Sequence, residues 1–215
     1  MYTAARKITN RGTRKNIGFF PSKKNERPIA FESLLELDYI HLLEFDSDVL
    51  KYWEQPETIA YSYSCKHYRY TPDFFVKRKS KTQLIEIKPK SNLEKILCDD
   101  FKSKKYLAAA HYCKSKGYSE FKIITDEEIR SGSMLKNIKY LFSYSGLDVP
   151  SLERMKIKKA IELTGSQQIA ELLLTITDRN DQFSKYYSYI LAMVYNQEIK
   201  TNMYTTVDKT SVLEI

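Results

Sequence analysis

The stretch YTPDFFVKRKSKTQLIEIK, Tyr70–Lys88, decides how the rest of this 215-residue chain is read. QLIEIK alternates with period 2, which sets Leu84, Glu86 and Lys88 on one side of a strand and Gln83, Ile85 and Ile87 on the other. YRYTPDFFV is also rich in β-formers, and its proline suits a strand edge or bulge. Pairing of two such short strands brings Asp73, Glu86 and Lys88 to one point. Two carboxylates and an ammonium are what metal-assisted phosphodiester hydrolysis requires. Hard oxygens hold Mg²⁺, a bound metal acidifies water and neutralises phosphate charge, and the lysine orients or deprotonates that water. The plainer reading is a solvated hairpin with a salt bridge between strand neighbours. Glu86 and Lys88 stand amid apolar residues, however, where an unpaired charge is expensive.

The charge balance agrees. Lys and Arg number 35 against 27 Asp and Glu, a net +8 with an isoelectric point near 9.1, which favours a polyanionic partner. The first 28 residues hold eight cations (Arg6, Lys7, Arg11, Arg14, Lys15, Lys23, Lys24, Arg27) against the single acid Glu26. Few apolar residues interrupt them, so this segment reads as a basic arm that orders on nucleic-acid backbone. No apolar run approaches the ~20 residues of a membrane span, and no signal-type core opens the chain, so neither a membrane nor export is expected. Three cysteines do not make a disulfide scaffold and suit a reducing cytoplasm. Cys65-x-His67 and His111-x-Cys113 could supply four zinc ligands, but structural zinc pairs are more often two to four residues apart.

The chain divides into three sections. Residues 1–28 form the basic arm. Residues 29–145 carry a mixed α/β pattern: a helix over 31–45, strands near 57–64, 67–77 and 82–88, a helix over 92–116 stopped by Gly117, and a strand over 121–125. Strand, helix and strand across 82–125 imply a crossover and a partly parallel sheet. Thr125 or Asp126 then caps a further helix. Residues 146–215 read as helices separated by Gly165 and Asp178-Arg-Asn-Asp181. The first helix offers Glu32, Glu36 and Glu44 as a further acid. Glu32 and Glu36 share a face, yet Ser33-x-x-Glu36 is equally a capping box, and the residues alone leave the choice open.

The run from Ser33-Leu-Leu-Glu36 through Leu43-Glu44-Phe45, Val49, Glu54-Gln55-Pro56 and Tyr70-Thr-Pro-Asp73-Phe to Glu86-Ile-Lys88-Pro89 and Thr125-Asp126-Glu-Glu-Ile129 resembles TnsA. That family comprises the endonuclease subunits of heteromeric cut-and-paste transposases, within the PD-(D/E)xK nuclease superfamily. The resemblance spans about residues 15–145. It implies a restriction-endonuclease-like core, a mixed sheet flanked by helices, between the basic arm and a C-terminal helical domain of winged-helix-like character that docks partner or DNA. It also implies Mg²⁺-dependent cleavage at the 5′ ends of a transposon, with Mn²⁺ as a substitute. A TnsB-like recombinase would cut the 3′ ends and a TnsC-like AAA+ ATPase would link to target selection, in a bacterial cytoplasm.

By position the resemblance puts the family's helix glutamate on Glu36, ahead of Glu32, and its metal aspartate on Asp73. The residue before the lysine falls on Glu86, where some members have glutamine, and the lysine is Lys88. Asp73, Glu86 and the Ile87 carbonyl are then expected to hold one or two Mg²⁺, Glu36 to complete the shell, and Lys88 to position or activate water. Phosphate contacts are expected from Arg11, Arg14, Lys15, Lys23 and Lys24 in the arm and from Lys77, Arg78 and Lys79. Two other readings remain: a stand-alone defence or repair nuclease, which would cut without partners, and an inactive DNA-binding assembly factor.

Overall fold

The structure is a computed structural model and describes Ala5 and residues 16–215. Arg6, Lys7, Arg11, Arg14 and Lys15 of the expected arm lie outside the described residues. The chain forms two compact units, one ending at Arg130 and the other spanning Ser131–Ile215. The sequence pattern puts that change at 145 instead. The difference arises because Asn137 binds backbone near residue 205 through its side chain, which ties the segment after Arg130 to the C-terminal unit.

The first unit begins inside the expected arm. β1 (Gly18–Ser22) and β2 (Arg27–Phe31) form an antiparallel hairpin. At its open end a Cβ on Gly18 would lie 2.5 Å from the tip of the Phe31 ring, so glycine lets that ring close over the strand. α1 (Leu34–Phe45) follows, with Ser33 as N-cap accepting the Glu36 amide. β3 (Val49–Glu54), β4 (Ile59–Tyr63), β5 (Lys66–Tyr70), β6 (Phe74–Arg78) and β7 (Thr82–Lys88) come next. α2 (Lys90–Leu97), α3 (Asp100–Lys116), β8 (Glu120–Thr125) and α4 (Asp126–Ile129) complete the unit. The single helix expected over 92–116 is two, because Asp99 takes the Lys102 amide and caps a second helix. Gly117, at φ 72°, ends α3 in the left-handed conformation that favours glycine.

A four-stranded mixed sheet of order β3-β6-β7-β8 organises these parts. β6 and β7 pair antiparallel with Phe74 opposite Ile85, while β7 and β8 run parallel through the α2–α3 crossover. The alternation read from QLIEIK holds. Leu84 packs beneath α3 with Tyr106, Ala109 and Cys113, while on the other face Tyr39 of α1 meets Phe74 at a ring separation of 5.8 Å. Phe74, Leu84 and Ile85 are fully buried, each contributing about 1.5–3 kcal/mol of apolar burial. β7 is therefore an interior strand whose residues alternate between two helical layers.

The strand expected over 67–77 is interrupted. β5 pairs with β4 in a separate two-stranded ribbon, and the chain crosses into the main sheet through Thr71, Pro72 and Asp73. Pro72 has no N–H for a ladder, which marks the break and leaves Asp73 at the very start of β6.

The second unit contains α5 (Met134–Phe142), α6 (Ser151–Thr164), β9 (Gln167–Gln168), α7 (Ile169–Ile176), α8 (Phe183–Tyr195), β10 (Lys200–Thr201) and β11 (Val212–Glu214). The three short strands make an antiparallel sheet of order β10-β11-β9. Buried Asn137 donates to the carbonyls of Met203 and Thr205 and accepts the Val207 amide at 3.0 Å, tying the C-terminal loop to α5.

Candidate active site

Beyond the last β6–β7 pair, the amide of Ile87 finds its acceptor in a side chain: Asp73 Oδ2, at 2.7 Å. The Asp73 carbonyl accepts in turn from the Gln55 amide at 2.7 Å. Gln55 follows β3 with φ 43°, a left-handed backbone uncommon for a non-glycine residue, and its side-chain amide donates to Glu32 at 3.1 Å. Asp73 is thus fixed by backbone from two strands rather than by rotamer preference alone.

On the neighbouring strand, Glu86 is almost wholly buried, with two donors and a second ammonium close to its carboxylate. The Tyr70 hydroxyl donates to Oε2 at 2.6 Å. Lys88 Nζ lies 3.0 Å from Oε1, and Lys105 Nζ of α3 lies 3.7 Å from the same oxygen. Glu86 and Lys88 meet because they are two residues apart on one strand face.

Asp73, Glu86, Lys88 and Glu36 line one open cleft of about 1140 Å³ in the first unit. Burial pushes the Asp73 carboxyl well above the usual range, and the negative charges of Glu86 and Glu36 add to that, opposed by Lys88 and the Ile87 amide. Burial likewise raises Glu36, against the hydrogen bonds from Glu32 and Ser33 that favour its charge. Burial alone would lower Lys88. The carboxylates of Glu86 and Asp73 outweigh it and hold the ammonium above its usual range.

The chemistry of these carboxylates suits Mg²⁺. Among the described residues no group of three or more His, Cys, Asp or Glu side chains is already gathered into a metal cage. Mg²⁺ does not need one, because it keeps several waters and takes one or two carboxylates. Hard oxygens, together with a half-buried aspartate whose charge is disfavoured by desolvation and by two neighbouring acids, are what a divalent cation relieves. The donor set fits. The alternative zinc pairs do not converge in this way: Cys65 is exposed at the β4–β5 turn and Cys113 is buried on the inner face of α3.

The three glutamates of the helical region separate clearly. Glu36 makes the capping box, its carboxylate accepting the Glu32 amide at 2.8 Å and the Ser33 hydroxyl at 2.9 Å, and it also lines the cleft. Glu32 lines the cleft as well, held by Gln55. Glu44, about 12 Å further along the helix axis, is structural. It accepts from the Ser22 and Tyr52 hydroxyls, both at 2.8 Å, and from the amides of Lys23 and Lys24.

The cations expected to meet phosphate lie elsewhere. Arg78 is paired with Asp46 at 2.5 Å and hydrogen-bonds Gln83. Lys24 donates to the carbonyls of Leu43 and Asp46, closing the end of α1, and burial lowers its pKa. Lys77 and Lys79 are exposed on the same end of β6, about 16 Å of strand from Asp73. Lys23 stands in that turn too, its amide on Glu44. Sequence reasoning missed Tyr70, Gln55 and Lys105. The first two stood inside quoted motifs without a role, and Lys105 sits in a lysine-rich helix whose members spacing cannot rank.

A mixed four-stranded sheet flanked by helices, with an aspartate at a strand start and Glu-x-Lys on its neighbour, defines a restriction-endonuclease-like core. Residues 46–126 match the family model described as TnsA-like endonuclease N terminal. That stretch is similar to the N-terminal domain of TnsA-like endonucleases and contains Asp73, Glu86 and Lys88, while Glu36 precedes it. Among curated proteins none matches the chain. Among the described residues no helix is long and apolar enough to cross a membrane.

Proposed function

We propose that this protein is the endonuclease subunit of a heteromeric cut-and-paste transposase, hydrolysing DNA at the 5′ ends of the element. The observation that carries this reading is the convergence of Asp73, Glu86 and Lys88 on one cleft within a TnsA-like domain. Asp73, Glu86 and the Ile87 carbonyl are the groups that would hold Mg²⁺, with Glu36 close by. The cation, when bound, supplies an acidified water and neutralises phosphate charge.

The side chains do the remaining work. Lys88 stays protonated beside Glu86 and Asp73, so it orients the attacking water and the phosphate through hydrogen bonds more readily than it removes a proton. Glu86 fixes the direction of that ammonium, and Tyr70 fixes Glu86. Hydrolysis by in-line attack leaves 5′-phosphate and 3′-hydroxyl ends. A TnsB-like recombinase and a TnsC-like ATPase are the partners the family suggests, with sequence choice supplied by the former.

The test is strand-specific cleavage of a labelled transposon-end duplex with Mg²⁺, using wild type and Asp73→Ala, each with and without those partners. Partner-dependent 5′-strand cutting that disappears in the variant supports the reading. Cutting by the lone chain supports an independent nuclease. No cutting under any condition removes the enzyme altogether.

A further inference from the structure

The cleft carries charges of both signs. Besides Glu32, Glu36, Asp73 and Glu86 it is lined by Arg69 of β5, Lys95 of α2, and Lys102 and Lys105 of α3, a basic wall whose elements pack together, α2 and the β4–β5 ribbon against α3. These four cations come from three elements that are separate in sequence, so no single charge run explains their meeting. Among the described residues neither Arg69 nor Lys95 has an ion-pair partner. Lys102 has only Asp99, three residues away on the helix surface, at 2.8 Å. Exposed pairs of that kind hold a cation weakly.

Lys105 is held differently. Its ammonium lies 5.1 Å from the centre of the Tyr70 ring and 4.8 Å from that of Tyr106, and it shares Glu86 Oε1 with Lys88. Two aromatic faces and one carboxylate oxygen fix a cation at the inner end of the basic wall. The wall itself is stiff at its base: Tyr61 stacks on Tyr68 at 5.5 Å, and Phe101 at the start of α3 meets Tyr68 at 4.9 Å. That packing uses one face of the β4–β5 ribbon and leaves Ala60, Ser62, His67 and Arg69 exposed on the other.

We propose that this wall is the seat of the DNA backbone, with Arg69, Lys95 and Lys102 taking phosphates that flank the cleavage point and Lys105 taking the one beside Lys88. The inference rests on the nuclease reading above and says where its substrate lies. A row of acids repels a polyanion at short range, so a cleft that cuts DNA needs cations as well to draw the strand in. At the far end of β6, Arg78 and Lys24 are committed to Asp46 and the end of α1, and the exposed Lys77 and Lys79 stand about 16 Å of strand from Asp73. When a phosphate arrives, Lys105 exchanges part of its contact with Glu86 for the incoming oxygen and leaves Glu86 to Lys88.

The experiment measures duplex affinity of the full chain by fluorescence anisotropy across a salt series. Arg69→Gln, Lys95→Gln and Lys102→Gln are combined in one variant, and Lys114→Gln with Lys116→Gln, at the opposite end of α3, serves as the control. The wall variant is expected to bind at least tenfold more weakly, with the salt slope flattened by about 0.9 per cation removed, while the control stays within twofold of wild type. In the cleavage assay, Lys105→Gln is expected to lose about tenfold or more in rate at saturating DNA, with partial recovery in Lys105→Arg. Wild-type affinity in the wall variant, equal loss in the control, or no binding by wild type at low salt would overturn the seat. Wall-dependent binding without cleavage by any preparation would leave the seat standing and remove the nuclease reading.

Discussion

Asp73 stands one residue before β6, and its Oδ2 accepts the amide of Ile87 from the adjoining strand at 2.7 Å. A backbone donor that would otherwise be unsatisfied beyond the last ladder pair thus aims a carboxylate into the cleft. The same carboxyl is hemmed in by burial and by Glu86 and Glu36, so its ionised form is held at a cost to the fold.

Asp73→Asn removes that burdened charge while keeping an oxygen for the Ile87 amide. The variant should lose Mg²⁺-dependent cleavage by roughly 10³-fold or more and bind DNA as wild type does. It should also unfold at higher denaturant, by about 1 kcal/mol. Parallel cleavage and urea titrations check both halves, and a destabilised variant would contradict the electrostatic account.

The pH dependence has a definite sign. Asp73 and Glu36 both have raised folded-state pKa values, so their contribution to stability is full below the unfolded values of about 4 and is lost as pH rises through the raised ones. Without divalent cation, thermal stability should fall as pH rises above about 4. Mg²⁺ should oppose that fall, and its binding should release protons in the same window. Calorimetry in two buffers of different ionisation enthalpy reads the release directly.

Glu36→Gln separates two roles of one side chain. Glutamine still accepts the Glu32 amide and the Ser33 hydroxyl, so the capping box survives, whereas the charge near Asp73 is gone. Stability should change by less than about 0.5 kcal/mol and cleavage should fall. Ser33→Ala should do the reverse, costing about 1 kcal/mol with activity largely kept. Full activity in Glu36→Gln would reduce that residue to a cap.

Tyr70→Phe deletes the hydroxyl that holds Glu86 Oε2. A buried carboxylate oxygen left unpaired costs about 1–3 kcal/mol. Cleavage should drop about tenfold through misorientation of Lys88, an effect of remote positioning. Unchanged rate with lowered stability would leave Tyr70 a purely structural partner.

Much of this architecture was legible in QLIEIK, because an interior strand with one helical layer on each face must alternate. β3 was not legible as a strand: VLKYWE carries a register shift between Val49 and Lys51 that breaks the period. The division at Asp73 was hidden because β-formers run through it, and only the separate β4–β5 pairing shows why the chain turns there. Among site residues, Glu86 and Lys88 were readable from local phase. Tyr70, Gln55 and Lys105 act through contacts set by tertiary packing, on which neighbouring letters carry no signal. In the basic run at Lys77, Arg78 and Lys79 the limit is related, since sequence shows charge but not the Asp46 that already holds Arg78.

The interior position of β7 has a consequence for motion. β7 pairs with β6 as far as Ile85 and with β8 along its length, and the Ile87 amide is held by Asp73 Oδ2, so this strand should open to solvent exchange only with the whole sheet, on the slowest timescale the unit has. α2 buries none of its residues and should open far sooner. Exchange should therefore be slow at the strand that carries Glu86 and Lys88 and fast at α2, whose Lys95 lines the same cleft.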